Sequence, residues 1–102
     1  MKAIINLKRY DTSTAELVAS YQFSNSRDFR FIFEQLYLKK HGEWFLAGEG
    51  GPCTYYAESG GNNSIYGSER ITPLTPEGAL HQLEQWDKTE QIEKYFADKI
   101  SD

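Results

Sequence analysis

The sequence predicts a single α+β domain, in which a four- to five-stranded antiparallel β-meander carries a C-terminal helix or helices packed on one face. Three observations predict this fold class. Apolar and polar residues alternate through the first half, at the two-residue period of strands. Six of the eight glycines lie between residues 48 and 67. The last quarter changes to the 3.6-residue period of an amphipathic helix. With 102 residues, the chain has the size of one domain with one core.

The meander is predicted to occupy residues 1–47. Its strands are expected at residues 3–10, 17–23, 29–34 and 44–47, each apolar on at least one face. After Gln35 the apolar residues change phase to Leu36 and Leu38, which indicates a bulge or a bend. The turn at residues 39–42 joins the last two strands, and Gly42 is expected to take a positive φ there.

Residues 48–69 are predicted to form a glycine-rich excursion from the sheet. Residues 48–52 follow a strand as a phosphate-binding loop would, but they lack a Walker lysine, and Glu49 would repel phosphate. A tight turn is therefore expected at that point. Residues 52–58, with Pro52 at the first position, predict one or two helical turns. Residues 60–64 predict a mobile loop.

Residues 70–102 predict a short strand followed by helix. Pro73 restricts the strand to an edge or a strand end. Thr75 is expected to cap the helix, with Pro76 at its first position. Asp87 and Glu90 have the spacing of a capping box that would begin a second helix, although one unbroken helix also fits. Two apolar stripes at helical spacing would face the sheet: Ala79, Leu80, Leu83 and Trp86, then Ile92, Tyr95, Phe96 and Ile100.

Composition favours an ordered protein of the cytoplasm. The chain is 39% hydrophobic and 25% charged, which is typical of a globular domain. It has no apolar run of membrane-spanning length, its first residues are too short an apolar stretch for a signal peptide, and it has a single cysteine. Two histidines forty positions apart give no metal-ligand spacing. The sequence indicates neither a metal nor a cofactor.

The net charge of −4 is unevenly distributed. Residues 1–45 carry seven basic and five acidic residues, whereas residues 46–102 carry four basic and ten acidic ones. The C-terminal half therefore predicts an acidic surface that would repel nucleic acid and attract a basic partner surface, unless it is only a solvated helix face. The acidic residues expected on this face are Glu84, Asp87, Glu90 and Glu93.

Three tyrosines in the glycine-rich excursion favour a protein-binding surface. Tyr55, Tyr56 and Tyr66 lie near asparagine, serine and glycine, which is the composition of adaptable contact loops. The alternative is that these tyrosines fold back and cover the sheet. A non-enzymatic protein-binding module is the first function that the sequence predicts.

Two other functions stay open. The first is nucleic-acid binding, because basic residues alternate with aromatic residues on the N-terminal strands. The basic residues that would carry it are Arg27, Arg30, Lys39 and Lys40. The second is thiol catalysis at Cys53, near a predicted helix start and with His41 or His81 as the base.

Short aromatic and glycine patterns resemble small uncharacterised proteins encoded on phages, plasmids and other bacterial mobile elements. The resemblance covers roughly residues 28–86. Its segments are Leu36-Tyr37, Trp44-Phe45-Leu46, Gly48-Glu49-Gly50-Gly51, Tyr56-Ala57 and Ile71-Thr72-Pro73-Leu74-Thr75. Such proteins include inhibitors of host defence, among them anti-CRISPR proteins. The resemblance implies a setting in which the partner is a nucleoprotein defence complex whose nucleic-acid groove an acidic surface could occupy.

Overall fold

A four-stranded antiparallel sheet is the centre of the computed structural model, which describes residues 1–102. Two small hairpins and two helices surround it. The strands are β1 (Lys2–Ile5), β2 (Lys8–Asp11), β3 (Glu16–Phe23), β4 (Ile32–Leu38), β5 (Trp44–Gly50), β6 (Glu58–Ser59), β7 (Ile65–Tyr66) and β8 (Ser68–Leu74). The helices are α1 (Pro76–Gln85) and α2 (Thr89–Tyr95), followed by a 3₁₀ turn (Ala97–Lys99). The central sheet has the order β3-β4-β5-β8, so the predicted α+β class is confirmed.

The predicted first strand, residues 3–10, is wrong as a strand of the meander. It is a separate hairpin of β1 and β2, paired from Lys2–Asp11 to Ile5–Lys8. Asn6 and Leu7 form its two-residue turn with φ of 52° and 64°. Two left-handed residues suit the right-handed twist of the flanking strands. Residues 5–8 are apolar, polar, apolar and polar in turn, so the alternation typical of a strand continues across the turn and hides it in the sequence.

The third predicted strand begins later than expected. Residues 28–31 form a turn in which Asp28 accepts hydrogen bonds from the backbone N–H groups of Arg30 and Phe31, at 2.8 and 3.0 Å. The strand β4 therefore starts at Ile32, and Phe29 is exposed. The bulge or bend predicted after Gln35 is wrong, because β4 pairs with β5 without a register shift from Ile32 to Leu38. The irregularity is in the neighbouring strand, where the register of β3 shifts between Leu17 and Ala19.

The predicted turn at residues 48–52 is also wrong, because β5 continues to Gly50. The strand β8 pairs with β5 from Trp44–Leu74 to Gly50–Ser68, so it is seven residues long and lies at the sheet edge that Pro73 required. The turn at residues 39–42 is confirmed, with Gly42 at φ 93°.

Residues 52–58 form turns instead of the predicted helical turns, and the predicted loop at residues 60–64 is the connection of a short hairpin. Thr54 holds the first part, since its Oγ1 donates to the carbonyl of Gly51 at 2.8 Å and its own carbonyl accepts from the N–H of Ala57 at 3.0 Å. Residues 60–64 close the hairpin of β6 and β7. Asn62 and Asn63 occupy its tip with φ of 58° and 61°. Asparagine tolerates this conformation better than most residues.

The C-terminal segment forms two helices, which settles the alternative that the sequence left open. Thr75 caps α1 as predicted, accepting a hydrogen bond from the N–H of Gly78 at 3.0 Å. Asp87 follows the end of α1 with a positive φ of 55°. The predicted capping box is wrong, because Lys88 and not Asp87 precedes α2, and no side chain caps it.

The sheet is covered on both faces. The helices pack on one face, called here the helix face, over a cluster formed by Val18, Ala19, Leu36, Trp44, Leu46, Ala79, Leu83 and Phe96. The hairpin of β1 and β2 packs on the other face, over a cluster formed by Tyr10, Tyr37, Phe45, Ala47 and Ile71. We call the end of the sheet at Phe23, Ile32, Gly50 and Ser68 the glycine end, and the opposite end, at residues 39–43, the turn end.

Candidate binding surface at the glycine end

A buried carboxylate lies on the helix face near the glycine end. Glu34 is 2% exposed and is the one charged residue in the core. It belongs to the same face as Leu36, because residues two apart in a strand point the same way. Its neighbours across the sheet are Tyr21 on β3 and Gly48 on β5. A carboxylate in such a place is costly unless hydrogen bonds compensate for the lost water.

Two tyrosine hydroxyls supply those hydrogen bonds. The hydroxyls of Tyr55 and Tyr56 both donate to Oε2 of Glu34, at 2.6 and 2.7 Å. Hydrogen bonds to an ionised acceptor are short and strong. Burial, reinforced by the Glu34 carboxylate, raises the pKa of both hydroxyls well above the usual tyrosine range. We call these three residues the tyrosine lock, since they fasten residues 51–57 to the sheet.

The lock requires a glycine beneath it. A Cβ atom on Gly48 would lie 1.7 Å from the hydroxyl oxygen of Tyr56, so no larger residue fits. Arg70 contacts the same two tyrosines: its guanidinium lies 4.9 Å from the centre of the Tyr56 ring, and its Nη2 donates to the carbonyl of Tyr55 at 3.0 Å. Ser68 donates to the carbonyl of Tyr56 at 2.6 Å. The loop is thus held through its backbone as well as its side chains.

Sequence reasoning missed Glu34, although a signal for it exists. Glu34 falls at the position between Ile32 and Leu36 on an otherwise apolar face. A charged residue at an inward position predicts a partner, but its partners are 21 and 22 residues away and no periodic pattern connects them.

The three predicted contact tyrosines have different places in the structure. Tyr56 is only 2% exposed and covers the sheet, as the alternative interpretation stated. Tyr55 is 62% exposed even though its hydroxyl is bound, and Tyr66 on β7 is 50% exposed. Together with Phe29 and Ile65 they account for four of the ten exposed large apolar residues. All four lie in the loops and the small hairpin beyond the glycine end, and we call Phe29, Tyr55, Ile65 and Tyr66 together the aromatic end surface.

A groove of about 440 Å³ opens at the glycine end, and of the aromatic end surface only Phe29 lines it. Phe29 and Phe31 supply its apolar lining. Glu49 and Glu69 also line it, and they are directly opposite each other in the ladder of β5 and β8. Asp28, which also lines the groove, pairs with Arg30, but none of the three ion pairs of the chain includes Glu49 or Glu69. The rim of the groove is therefore negative.

The predicted acidic face lies on the helices and is open to solvent. Glu84, Asp87, Glu90 and Glu93 are all exposed. None of them forms an ion pair, although lysines follow Glu84 and Glu90 at a spacing of four. The negative charge of this face is not neutralised within the chain.

The basic residues of the nucleic-acid hypothesis lie at opposite ends of the sheet. Arg27 and Arg30 line an open groove near Cys53 at the glycine end, and Arg30 pairs with Asp28 at 3.3 Å. Lys39 and Lys40 follow the far end of β4, which is seven residues long and so spans about 23 Å. Lys39 is bound by Glu43 at 3.0 Å. The structure does not bring the four residues together.

The structure also separates the groups of the thiol hypothesis. Cys53 is exposed in a turn, with its N–H donating to the carbonyl of Phe29 at 2.8 Å, and no helix begins there. His41 lies at the turn end, and His81 is exposed on α1. Cys53 and His41 are thus separated by the length of β5.

Comparison with protein-family models, curated proteins and solved structures found no match. No helix is both long and apolar enough to cross a membrane. No group of three histidine, cysteine or acidic side chains is arranged to hold a metal ion.

Proposed function

We propose that the protein acts by binding another protein through the aromatic end surface. The observation that carries the proposal is the pairing of exposed aromatic rings with a buried anchor. Tyr55 presents its ring to solvent while Glu34 fixes its hydroxyl. Tyrosine and phenylalanine are enriched in interfaces, where they supply large contact areas. A ring held in place before binding loses little conformational entropy when the partner arrives.

The charge of the molecule indicates a basic partner. Residues 76–102 carry seven acidic residues against three lysines. Glu90 and Glu93 lie one turn apart on α2, at a spacing that places both on one face. Exposed carboxylates without ion pairs attract basic surfaces and raise association rates.

The finer form of the proposal is an inhibitor from a mobile element that acts on a host defence complex, as anti-CRISPR proteins do. The acidic face would compete for a groove that normally holds nucleic acid, because it has the same charge sign as phosphate. The resemblance of residues 28–86 to mobile-element proteins supports this setting. The binding proposal does not depend on it.

The first test is capture of a partner from host lysate by the tagged chain, with and without nuclease. We expect a single protein partner that resists nuclease. The variant Ile65→Ala/Tyr66→Ala, which leaves the tyrosine lock intact, should lose it, whereas Ile4→Ala/Leu7→Ala should keep it. Ile4 and Leu7 are apolar residues that are at least as exposed, at 64% and 97%, but they lie on the N-terminal hairpin. Capture that both variants retain would contradict the proposed surface, and capture that nuclease abolishes would favour nucleic-acid binding.

The acidic face needs a separate test, in which the test variant and its control lose the same number of negative charges. Glu84, Asp87, Glu90 and Glu93 are changed to their amides, and partner affinity is measured at several salt concentrations. The control neutralises four other exposed acids, Glu58, Glu77, Asp98 and Asp102. We expect weaker binding and a smaller salt dependence only in the first variant. Equal effects of the two variants would mean that net charge matters and that this face does not.

A further inference from the structure

The two edges of the central sheet are protected to different degrees. The edge strand β8 contains Pro73, Arg70 and Glu69, whereas the eight residues of β3 contain no proline and no basic residue. Glu16 is the only charged residue of β3. Proline and charge are the usual means of preventing an edge strand from pairing with another chain. The edge of β3 lacks them from residue 17 onward.

The hydrogen bonds at the ends of β4 show which backbone groups face outward. The N–H of Gly51 donates to the carbonyl of Phe31 at 2.9 Å, and the N–H of Lys39 donates to the carbonyl of Glu43 at 2.7 Å. The backbone N–H and C=O groups of odd-numbered β4 residues therefore form hydrogen bonds with β5, and those of even-numbered β4 residues form hydrogen bonds with β3. The β3 partners of those even-numbered residues are Ala19, Tyr21 and Phe23.

It follows that the backbone groups of Ser20 and Gln22 point away from the sheet. No backbone or side-chain hydrogen bond from elsewhere in the chain reaches them. The same alternation places the ring nitrogen of Pro73 on the outer side of β8, where it leaves no free donor. On the β8 edge, the proline thus removes one of three outward N–H groups and Glu69 adds a charge, whereas the β3 edge presents two residues with free N–H and C=O groups and has neither device.

We propose that β3 pairs antiparallel with β3 of a second copy of this chain, about a two-fold axis at Tyr21. Ser20 then meets Gln22 of the second copy, and the two such pairs exchange four backbone hydrogen bonds. The result is one continuous eight-stranded sheet. An isologous contact of this kind is the commonest form of a symmetric dimer.

The side chains of β3 complement themselves in this register. Ala19, which is small, meets Phe23, which is large and 44% exposed in the single chain. Tyr21 meets its own counterpart at a pair without mutual backbone hydrogen bonds, where side chains approach most closely. It is already supported by Trp86, with ring centres 5.7 Å apart.

Charge and shape limit the contact to residues 19–23. No charged residue lies in that stretch, so two chains of net charge −4 meet at an uncharged seam. The register shift beside Val18 ends the regular ladder, and the hydrogen bond between Tyr95 and Glu16 brings α2 against the first part of the strand. Five residues a side bury much less than the roughly 1,200–2,000 Å² of a stable interface, so the dimer is weak and depends on concentration.

The test is the mass of the protein in solution, measured by sedimentation equilibrium from about 10 µM to about 1 mM, a range that covers weak association. The variant Ser20→Pro removes an outward N–H and leaves the ladder to β4 intact. The matched control, Glu69→Pro, removes an outward N–H from the other edge. We expect wild type and Glu69→Pro to shift from monomer to dimer mass as concentration rises, and Ser20→Pro to remain a monomer.

A second variant keeps the test decisive if Ser20→Pro does not fold. Gln22→Lys changes an exposed side chain and places a lysine on each side of the two-fold axis. We expect it to fold and to dimerise at least tenfold more weakly than wild type. The proposal is overturned if wild type stays monomeric throughout, or if Gln22→Lys dimerises as strongly as wild type. Because this test uses no partner protein, its outcome is independent of the proposed function.

Discussion

The tyrosine lock makes a quantitative prediction for Tyr56→Phe. The change removes one hydroxyl and leaves the ring, so the packing against Gly48 and Arg70 is kept. Glu34, which is 2% exposed, would lose one of its two donors and could not recover it from water. A hydrogen bond to a charged group contributes about 1.5–3 kcal/mol. We expect the free energy of unfolding in urea to fall by about 2 kcal/mol, which lowers Tm by about 8–16 °C in a domain of this size.

The control is Tyr66→Phe, which removes a hydroxyl without a hydrogen-bond partner from a ring that is 50% exposed. It should change stability by less than about 0.5 kcal/mol. Hydrogen exchange provides a second measurement, because the amides of residues 51–57 should exchange faster in Tyr56→Phe than the change in global stability explains. Equal stability of the two variants would refute the lock as a stabilising contact.

Three further predictions concern glycine, capping and pH. Gly48→Ala should lower the free energy of unfolding, measured by urea titration, by about 1–3 kcal/mol or more, because the new Cβ would overlap the Tyr56 hydroxyl. The control Gly61→Ala should have little effect, because no atom lies within 4 Å of the Cβ position there. Thr75→Ala removes the cap of α1 and should cost about 1 kcal/mol by the same measurement. The hydrogen bond to Glu16, with some burial, raises the pKa of Tyr95 to about 12, so the folded chain holds this proton more tightly than the unfolded chain does. The contribution of this hydrogen bond to the free energy of unfolding should be complete below the unfolded tyrosine pKa of about 10, and it should disappear as pH rises towards 12. Measurements of unfolding between these pH values should show a smaller loss of stability in Tyr95→Phe than in wild type.

Features set by neighbouring residues in the chain were predictable from the sequence. The helix start at Thr75 and Pro76 depends on a side chain and a ring that act within one turn. The turn at Gly42 depends on one residue that tolerates a positive φ. The edge position of the last strand follows from the missing N–H of Pro73. Each of these signals contains its own physical cause, so no knowledge of distant partners is needed.

Features set by distant contacts were not predictable in the same way. The glycines of β5 predicted a turn because glycine favours turns locally. They are strand residues, and they must be glycine because the Tyr56 ring lies against them and leaves no space for a Cβ. The separate hairpin of β1 and β2 depends on Asn6 and Leu7 adopting φ values that leucine rarely takes. Whether Tyr55 and Tyr56 cover the sheet or face a partner could not be decided without locating Glu34.

The lock and the aromatic end surface are physically coupled, and this coupling is the main consequence of the buried carboxylate. Tyr55 belongs to both, because its hydroxyl is bound to Glu34 while the residue is 62% exposed. A free loop bearing an exposed tyrosine would lose rotamer and backbone entropy on binding, whereas this one has already lost it on folding. The hydrogen bonds that offset the burial of Glu34 therefore also fix Tyr55, which under the proposed function would reduce the entropy lost on binding. A purely structural role would explain Tyr56, whose ring is buried, but it would not require Tyr55 to keep most of its ring in water.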